Sequence, residues 1–201
     1  MTQSDNIREV VSLNPDYIGF IFYPQSPRDM SERICDFDLS IIPPTIERVA
    51  VLVNEPLINA KMIIRKWGFH AVQLHGEENP EYCRELMQEC TVIRSFPVGE
   101  SLPKSLPSFQ GVCNYFLLDT ATKQRGGSGK AFNHGLLEQY NLSVPYILSG
   151  GIGPDDAEHI LNLKMKHERM VGIDLNSRFE VSPGVKDMDK LRIFFKNIER
   201  R

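Results

Sequence analysis

This sequence predicts an α/β protein built on a parallel sheet, and two observations predict it. Short apolar, β-branched runs recur along the chain, and a turn-rich or helix-patterned stretch follows each one. Near-continuous apolarity without clean alternation suits strands covered on both faces. Strand patterns alternating with helix patterns imply parallel strands beneath a layer of helices. The chain has 201 residues, enough for one sizeable core and too few for two ordinary domains with a linker. Residues 1–201 are therefore expected to form one domain.

The chain opens on a helix pattern, Asp5–Leu13, with no strand in front of it. The expected strands are Tyr17–Phe22, Val49–Val53, Ala71–Leu74, Val92–Phe96, Tyr115–Leu118, Val144–Leu148 and Met170–Ile173. Most intervals between them are about 21–32 residues, the size of one βα unit. Asn54-Glu55-Pro56 opens a helix, with Asn54 as its cap, and Gly68 stops it after Trp67. Asn79-Pro80-Glu81 opens the next. Gly153-Pro154-Asp155-Asp156 starts a third, with acids where the helix dipole favours them. Asp187–Ile198 is the last, with Leu191, Phe194, Phe195 and Ile198 on one stripe. Ser101–Gln110 is a weaker helix, interrupted by Pro103 and Pro107. Seven strands suit either a doubly wound sheet or most of a (β/α)8 barrel. No GxGxxG follows the first strand, which weakens the dinucleotide-binding version.

Composition narrows the function. Charged residues make up 24% and hydrophobic ones 41%, with a net charge of −3 and a pI near 6.0. No basic excess points to nucleic acid or to an acidic membrane surface. No apolar run approaches the roughly 20 residues of a membrane span, and MTQSDNIREV lacks the features of a signal peptide. Cys35, Cys83, Cys90 and Cys113 form no CxxC and no zinc spacing. Reduced thiols in the cytoplasm are expected.

Functional side chains of α/β barrels sit where strands end. Arg28 follows the first run and could clamp a carboxylate or phosphate, although a solvated loop arginine explains its spacing better. His75 ends the third run and is as well explained by a bond to a neighbouring loop as by ligand contact. Asp119 directly follows the fifth run, where desolvation raises a carboxyl pKa; a loop-capping aspartate is an equal alternative. Gly126-Gly127-Ser128-Gly129-Lys130 is donor-rich but is not a P-loop, because Gln124 and Ala131 stand where a glycine and a Ser/Thr are required. Gly150 and Gly151 follow the sixth run, and Asn176 and Ser177 lie just past the seventh. Glycine amides approach an anion closely, and the last loops of a barrel often hold phosphate.

GFIFYPQSPR, VAVLVNEP, AVQLHGEE, LLDT with GGSGKAF, ILSGGIGPDDA, IDLNS and SPGVKD cover nearly the whole chain. In this order they resemble the phosphoribosylanthranilate isomerases of tryptophan biosynthesis. The resemblance implies a (β/α)8 barrel, a phosphosugar substrate and an Amadori rearrangement without a metal or organic cofactor. It matches Asp119 to the general acid, Arg28 to the anthranilate carboxylate, and Gly150, Gly151, Asn176 and Ser177 to the phosphate loops; His75, from its place at a strand end, is taken as a substrate contact. Arg178 departs from the family, which commonly has glycine there.

A larger departure lies at the start. The family opens with a strand reading lysine–apolar–cysteine–glycine, and Met1 fits the residue just past it. The resemblance therefore implies a barrel lacking strand 1 and its cysteine base, with seven strands remaining. A start assigned at an internal methionine accounts for this. Poor or absent turnover is expected, with either self-association through the open strand edges or disorder near the N-terminus. None of the four cysteines stands in for the base, since three lie in or beside helix patterns and Cys113 precedes a strand. A non-catalytic phosphosugar-binding barrel is the rival reading. A metal-dependent pentose-phosphate epimerase is a weaker one, because only His75 sits at a strand end.

Overall fold

A computed structural model describes residues 1–121 and 132–199. The stretch Gly126–Lys130 lies outside the described residues. Seven strands form one parallel sheet in chain order: β1 (Tyr17–Phe22), β2 (Glu47–Leu52), β3 (Ala71–Leu74), β4 (Thr91–Val98), β5 (Tyr115–Thr120), β6 (Tyr146–Leu148) and β7 (Met170–Ile173). A short antiparallel hairpin of β8 (Glu180–Ser182) and β9 (Val185–Lys186) follows. The helices are α1 (Ser4–Val11), α2 (Leu57–Trp67), α3 (Pro80–Leu86), α4 (Ala157–Lys166) and α5 (Met188–Glu199). No described helix is long and apolar enough to cross a membrane.

The sheet is curled and open. Every strand pairs with its chain neighbours, but β1 and β7 do not pair with each other or with a further strand among the described residues. The edge of β1 is partly covered. The Met1 amine donates to the Gly19 carbonyl at 3.0 Å, and the Met30 amide donates to Ile21 at 2.8 Å. On β7, Val171 is 47% exposed.

Side chains alternate between the two faces of each strand. Phe20, Phe96, Phe116 and Leu118 face outward into the main core under the helices, where Phe96 and Phe116 meet edge to face at 5.0 Å. Ile93, Leu117 and Ile147 form a second, smaller cluster on the inner face.

Two expectations of local structure change. Asn54 does not cap α2. It adopts a left-handed φ of 53°, donates its amide to Glu78 Oε1 at 2.8 Å, and accepts from the Glu77 amide at 2.6 Å. Its side chain is thus spent on the loop after β3. The Ser101–Gln110 helix shrinks to a 3-10 turn at Leu106–Phe109, because prolines at 103 and 107 remove backbone donors. Gly68 does end α2, with φ +62°, a conformation that glycine adopts without Cβ strain.

Arg94 on β4 holds the head of β3. Its Nη1 donates to the carbonyls of Leu74 (2.9 Å) and Ser95 (2.8 Å), and Nη2 donates to Gly76 (3.0 Å). The carbonyls on either side of His75 are thereby fixed. The buried Glu78 carboxylate lies 3.6 Å from the guanidinium. Removing one partner of a buried pair strands the other charge, and Arg94→Met should cost on the order of 3 kcal/mol. Urea unfolding measures this, and adding Glu78→Gln should recover part of the loss. An unchanged midpoint for Arg94→Met would show that the pair carries no stability.

Candidate functional site

The carboxyl ends of all seven strands point to one end of the sheet, where an open cavity of about 1450 Å³ begins. Along the middle strands its wall is made by alternate residues. Gln73 and His75, Ser95 and Pro97, Tyr115 and Asp119, and Ile147 and Ser149 all reach it. It continues through the gap between β1 and β7 to Val10 on α1, Leu13 just past that helix, and Phe194 and Ile198 on α5.

Asp119 is the last inward-facing residue of β5. The Thr120 amide donates to its Oδ1 at 2.9 Å. Burial, and then the neighbouring Asp174 carboxyl, push its pKa up from 3.8 to about 6. Asp174 follows β7, and burial raises its pKa as well. Ser149 follows β6, and its Oγ donates to Asp174 Oδ2 at 3.3 Å.

Gly150 has φ +88°. A Cβ there would come within 2.8 Å of Asp119 Oδ1 and would also strike Thr120. Only glycine lets this turn press against the acid. Gly151 also has a positive φ, of 72°, and its carbonyl accepts from Arg178 Nη1 at 3.0 Å. That bond ties the Gly150-Gly151 loop to the loop carrying Asn176 and Ser177. The four residues expected to hold phosphate thus line one end of the cavity together.

Arg28 reaches the same cavity but is already engaged. Its Nε donates to both Glu180 oxygens at 3.0 Å, and its Nη2 donates to Oε2 at 2.5 Å. The side chains are only 12% and 5% exposed. Burial alone would raise the pKa of Glu180, but the bonds from Arg28 and the charge of Lys186 outweigh it and hold the carboxyl below its usual range. Across the cavity, the His75 Nε2 lies 2.7 Å from Gln73 Oε1.

Asp174, Glu180 and Lys186 were missed by sequence reasoning. Lys186 lies on β9, and its Nζ donates to the Leu175 carbonyl and to Asn176 Oδ1, both at 3.0 Å. Asn6 of α1 holds the Lys186 backbone through both its donor and its acceptor. The available signal was an acid at the end of each of two strands, Asp119 on β5 and Asp174 after β7. The hairpin that delivers Lys186 had none. No three His, Cys, Asp or Glu side chains converge as a metal set among the described residues.

A family model described as N-(5'-phosphoribosyl)anthranilate (PRA) isomerase matches residues 1–197. The N-(5'-phosphoribosyl)anthranilate isomerase of Phocaeicola vulgatus is 40% identical over 203 residues, spanning 100% of this chain and 96% of the relative. That of Parabacteroides distasonis is 39% identical, spanning 98% and 90%. The solved phosphoribosyl anthranilate isomerase of Thermotoga maritima superposes with a TM-score of 0.81 at 30% identity, covering 99% of this chain and 95% of that one. A solved complex of such an isomerase with reduced 1-(o-carboxyphenylamino)-1-deoxyribulose 5-phosphate superposes with a TM-score of 0.72 at 27% identity, covering 99% and 95%.

The raised pKa of Asp119 has a sign that can be measured without substrate. The folded state prefers the protonated acid, so stability falls as pH rises from about 4 to about 6 and then levels off. Asp119→Asn removes that penalty. The variant should be more stable than the native chain by on the order of 2 kcal/mol near pH 8, and the gain should vanish near pH 4. Thermal melts at the two pH values check this. An equal effect at both would mean that Asp119 is not held protonated.

Proposed function

The chain belongs to the N-(5'-phosphoribosyl)anthranilate isomerase family, and from that premise we propose that it converts N-(5'-phosphoribosyl)anthranilate to 1-(o-carboxyphenylamino)-1-deoxyribulose 5-phosphate, as one barrel-like unit over its whole length. The observation that carries this reading is the contact between acid and glycine loop: Gly150 leaves no room for a Cβ beside Asp119. A phosphate held at the Gly150-Gly151 and Asn176-Ser177 amides would set the adjoining ribose ring against Asp119. A carboxyl with a pKa near 6 keeps a substantial protonated fraction close to neutrality. Asp119 then protonates the furanose ring oxygen, and the ring opens to a Schiff base.

The anthranilate carboxylate is assigned to Arg28. A guanidinium offers five donors, and the carboxylate would share or displace Glu180 at that fork. His75 flanks the other side of the cavity, where the aromatic ring would lie.

The second half of the reaction needs a base for the C2 proton. None of the four cysteines lines the cavity. Burial pushes the Cys83 thiol up to about 11, and Cys90 and Cys113 up to about 12, far from a reactive thiolate. We assign the base to a strand that would pair between β1 and β7 and carry a cysteine at its inner end. The 201 residues alone are accordingly proposed to turn over poorly.

The test assays two forms side by side: residues 1–201, and the same chain preceded by a lysine–valine–cysteine–glycine strand. The extended form should be at least about 10²-fold faster, the usual worth of a positioned base. Equal rates would place the base elsewhere, with His75 the first residue to replace. Asp119→Asn in the extended form should cost about 10²-fold in kcat, and near-native turnover would remove Asp119 from the role. Tight binding of the product analogue with no turnover by either form would favour the non-catalytic phosphosugar-binding reading. The open edges of β1 and β7 offer unpaired backbone groups to a second copy. Light scattering should find dimers or larger species of the 201-residue chain and monomers of the extended one; a monomeric short form would refute this part.

A further inference from the structure

A guanidinium can hold a carboxylate along its side edge or its end edge, and Glu180 takes only the side edge of Arg28. The Arg28 Nε donates to both Glu180 oxygens at 3.0 Å, and Nη2 donates to Oε2. The end edge is formed by Nη1 and the second proton of Nη2. It has no acceptor among the described residues. Both side chains line the cavity.

Glu180 is itself held from behind. It opens the β8–β9 hairpin, and the Gly184 amide in the turn donates to its Oε1 at 3.1 Å. Lys186 Nζ lies 3.6 Å from the same oxygen. Gly184 has φ +83°, and a Cβ there would come 2.5 Å from Thr2 Cγ2, so glycine alone closes this turn. The Thr2 amide donates to the Gly184 carbonyl at 3.1 Å, and Asn6 of α1 holds Lys186. With its side chain 5% exposed, Glu180 is a braced support for the guanidinium. The bonds from Arg28 and the charge of Lys186 keep it ionised despite burial.

We infer that Glu180 is a positioning residue: it grips the side edge of Arg28 and presents the end edge to the anthranilate carboxylate, which joins the pair without displacing Glu180. The inference rests on the assignment of that carboxylate to Arg28 and names what makes the contact selective. Two parallel N–H···O bonds need a planar fork already aimed at the ligand. An arginine fixed before the ligand arrives loses little rotamer freedom on binding. Lys186 shares the negative charge of Glu180 from its other side, which leaves the guanidinium attractive to a second carboxylate.

Calorimetric titration of the 201-residue chain tests this with two ligands. One is reduced 1-(o-carboxyphenylamino)-1-deoxyribulose 5-phosphate, and the other is its phenylamino counterpart, which lacks the carboxylate. The readout is the ratio of the two affinities, which a general loosening of the cavity leaves unchanged. The native chain should prefer the carboxylate ligand by about tenfold or more, as expected for a charge-assisted pair. Arg28→Met should abolish the preference. Glu180→Gln should remove most of it, because one acceptor oxygen becomes a donor group. Glu180→Asp keeps the charge but withdraws it by one methylene, and should lose preference too; it decides the matter if Glu180→Gln does not fold. Full preference in either Glu180 variant, with none in Arg28→Met, overturns the inference and leaves the role of Arg28 standing. A stronger preference in Glu180→Gln also overturns it, since Glu180 would then compete with the substrate. Full preference in Arg28→Met, or none in the native chain, refutes the assignment of the carboxylate to Arg28, and the inference falls with it.

Discussion

Parallel pairing from β1 to β7 sends seven carboxyl ends to one side of the molecule, and every group with chemistry to offer depends on that. Side chains on a strand alternate faces, so only every second residue looks inward. At the head of the sheet those residues are His75, Pro97, Asp119 and Ser149. The register matches Pro97 with Asp119, and the Ser149 amide bonds to the Leu118 carbonyl at 2.9 Å. A slip of one residue in either pairing would turn Asp119 or Ser149 away from the cavity. The meeting of Asp119, Ser149 and Asp174 is thus set by backbone hydrogen bonds rather than by side-chain flexibility.

The same crowding is unfavourable for stability. Asp119 and Asp174 face one another, and Lys186 lies largely buried near them; burial lowers its pKa while Glu180 and Asp174 pull it back. Arg28 and Glu180 form a nearly closed ion pair alongside. Buried charges are costly unless paired, and even when paired they seldom stabilise a fold as well as packed hydrocarbon. A fold shaped only by stability would not gather them. Their concentration at one end of the sheet, where Gly150 presses against Asp119, marks that end as functional.

Much of this was legible in the sequence. All seven strands of the sheet stand where apolar β-branched runs predict them, and Tyr17–Phe22, Ala71–Leu74 and Met170–Ile173 match residue for residue. Asp119, Gly150, Gly151, Asn176 and Ser177 were legible as strand-end residues, and the structure brings them together. Asn54 was misread because a cap and a loop brace use the same side chain; the choice was made by the Glu77 amide, distant in sequence. The partner of Arg28 was hidden for a similar reason. Glu180 lies 152 residues away, and no local pattern connects them. Lys186 reaches the site on a two-residue strand, too short to leave any periodicity.

The order of the strands carries a consequence for how the chain comes apart. Each strand bonds only to the strands before and after it in the chain, so most of the sheet can assemble from contacts about one βα unit apart. The exceptions gather at the gap: Asn6 with Lys186, Thr2 with Gly184, and Arg28 with Glu180. These join the two ends of the molecule across more than a hundred residues, and closing so long a loop is entropically the most expensive step. They can open while the middle strands stay paired, giving a partial unfolding that widens the cavity without melting the core. Amide protons should record that hierarchy, exchanging first beside the gap and last in β4 and β5, which have paired neighbours on both sides.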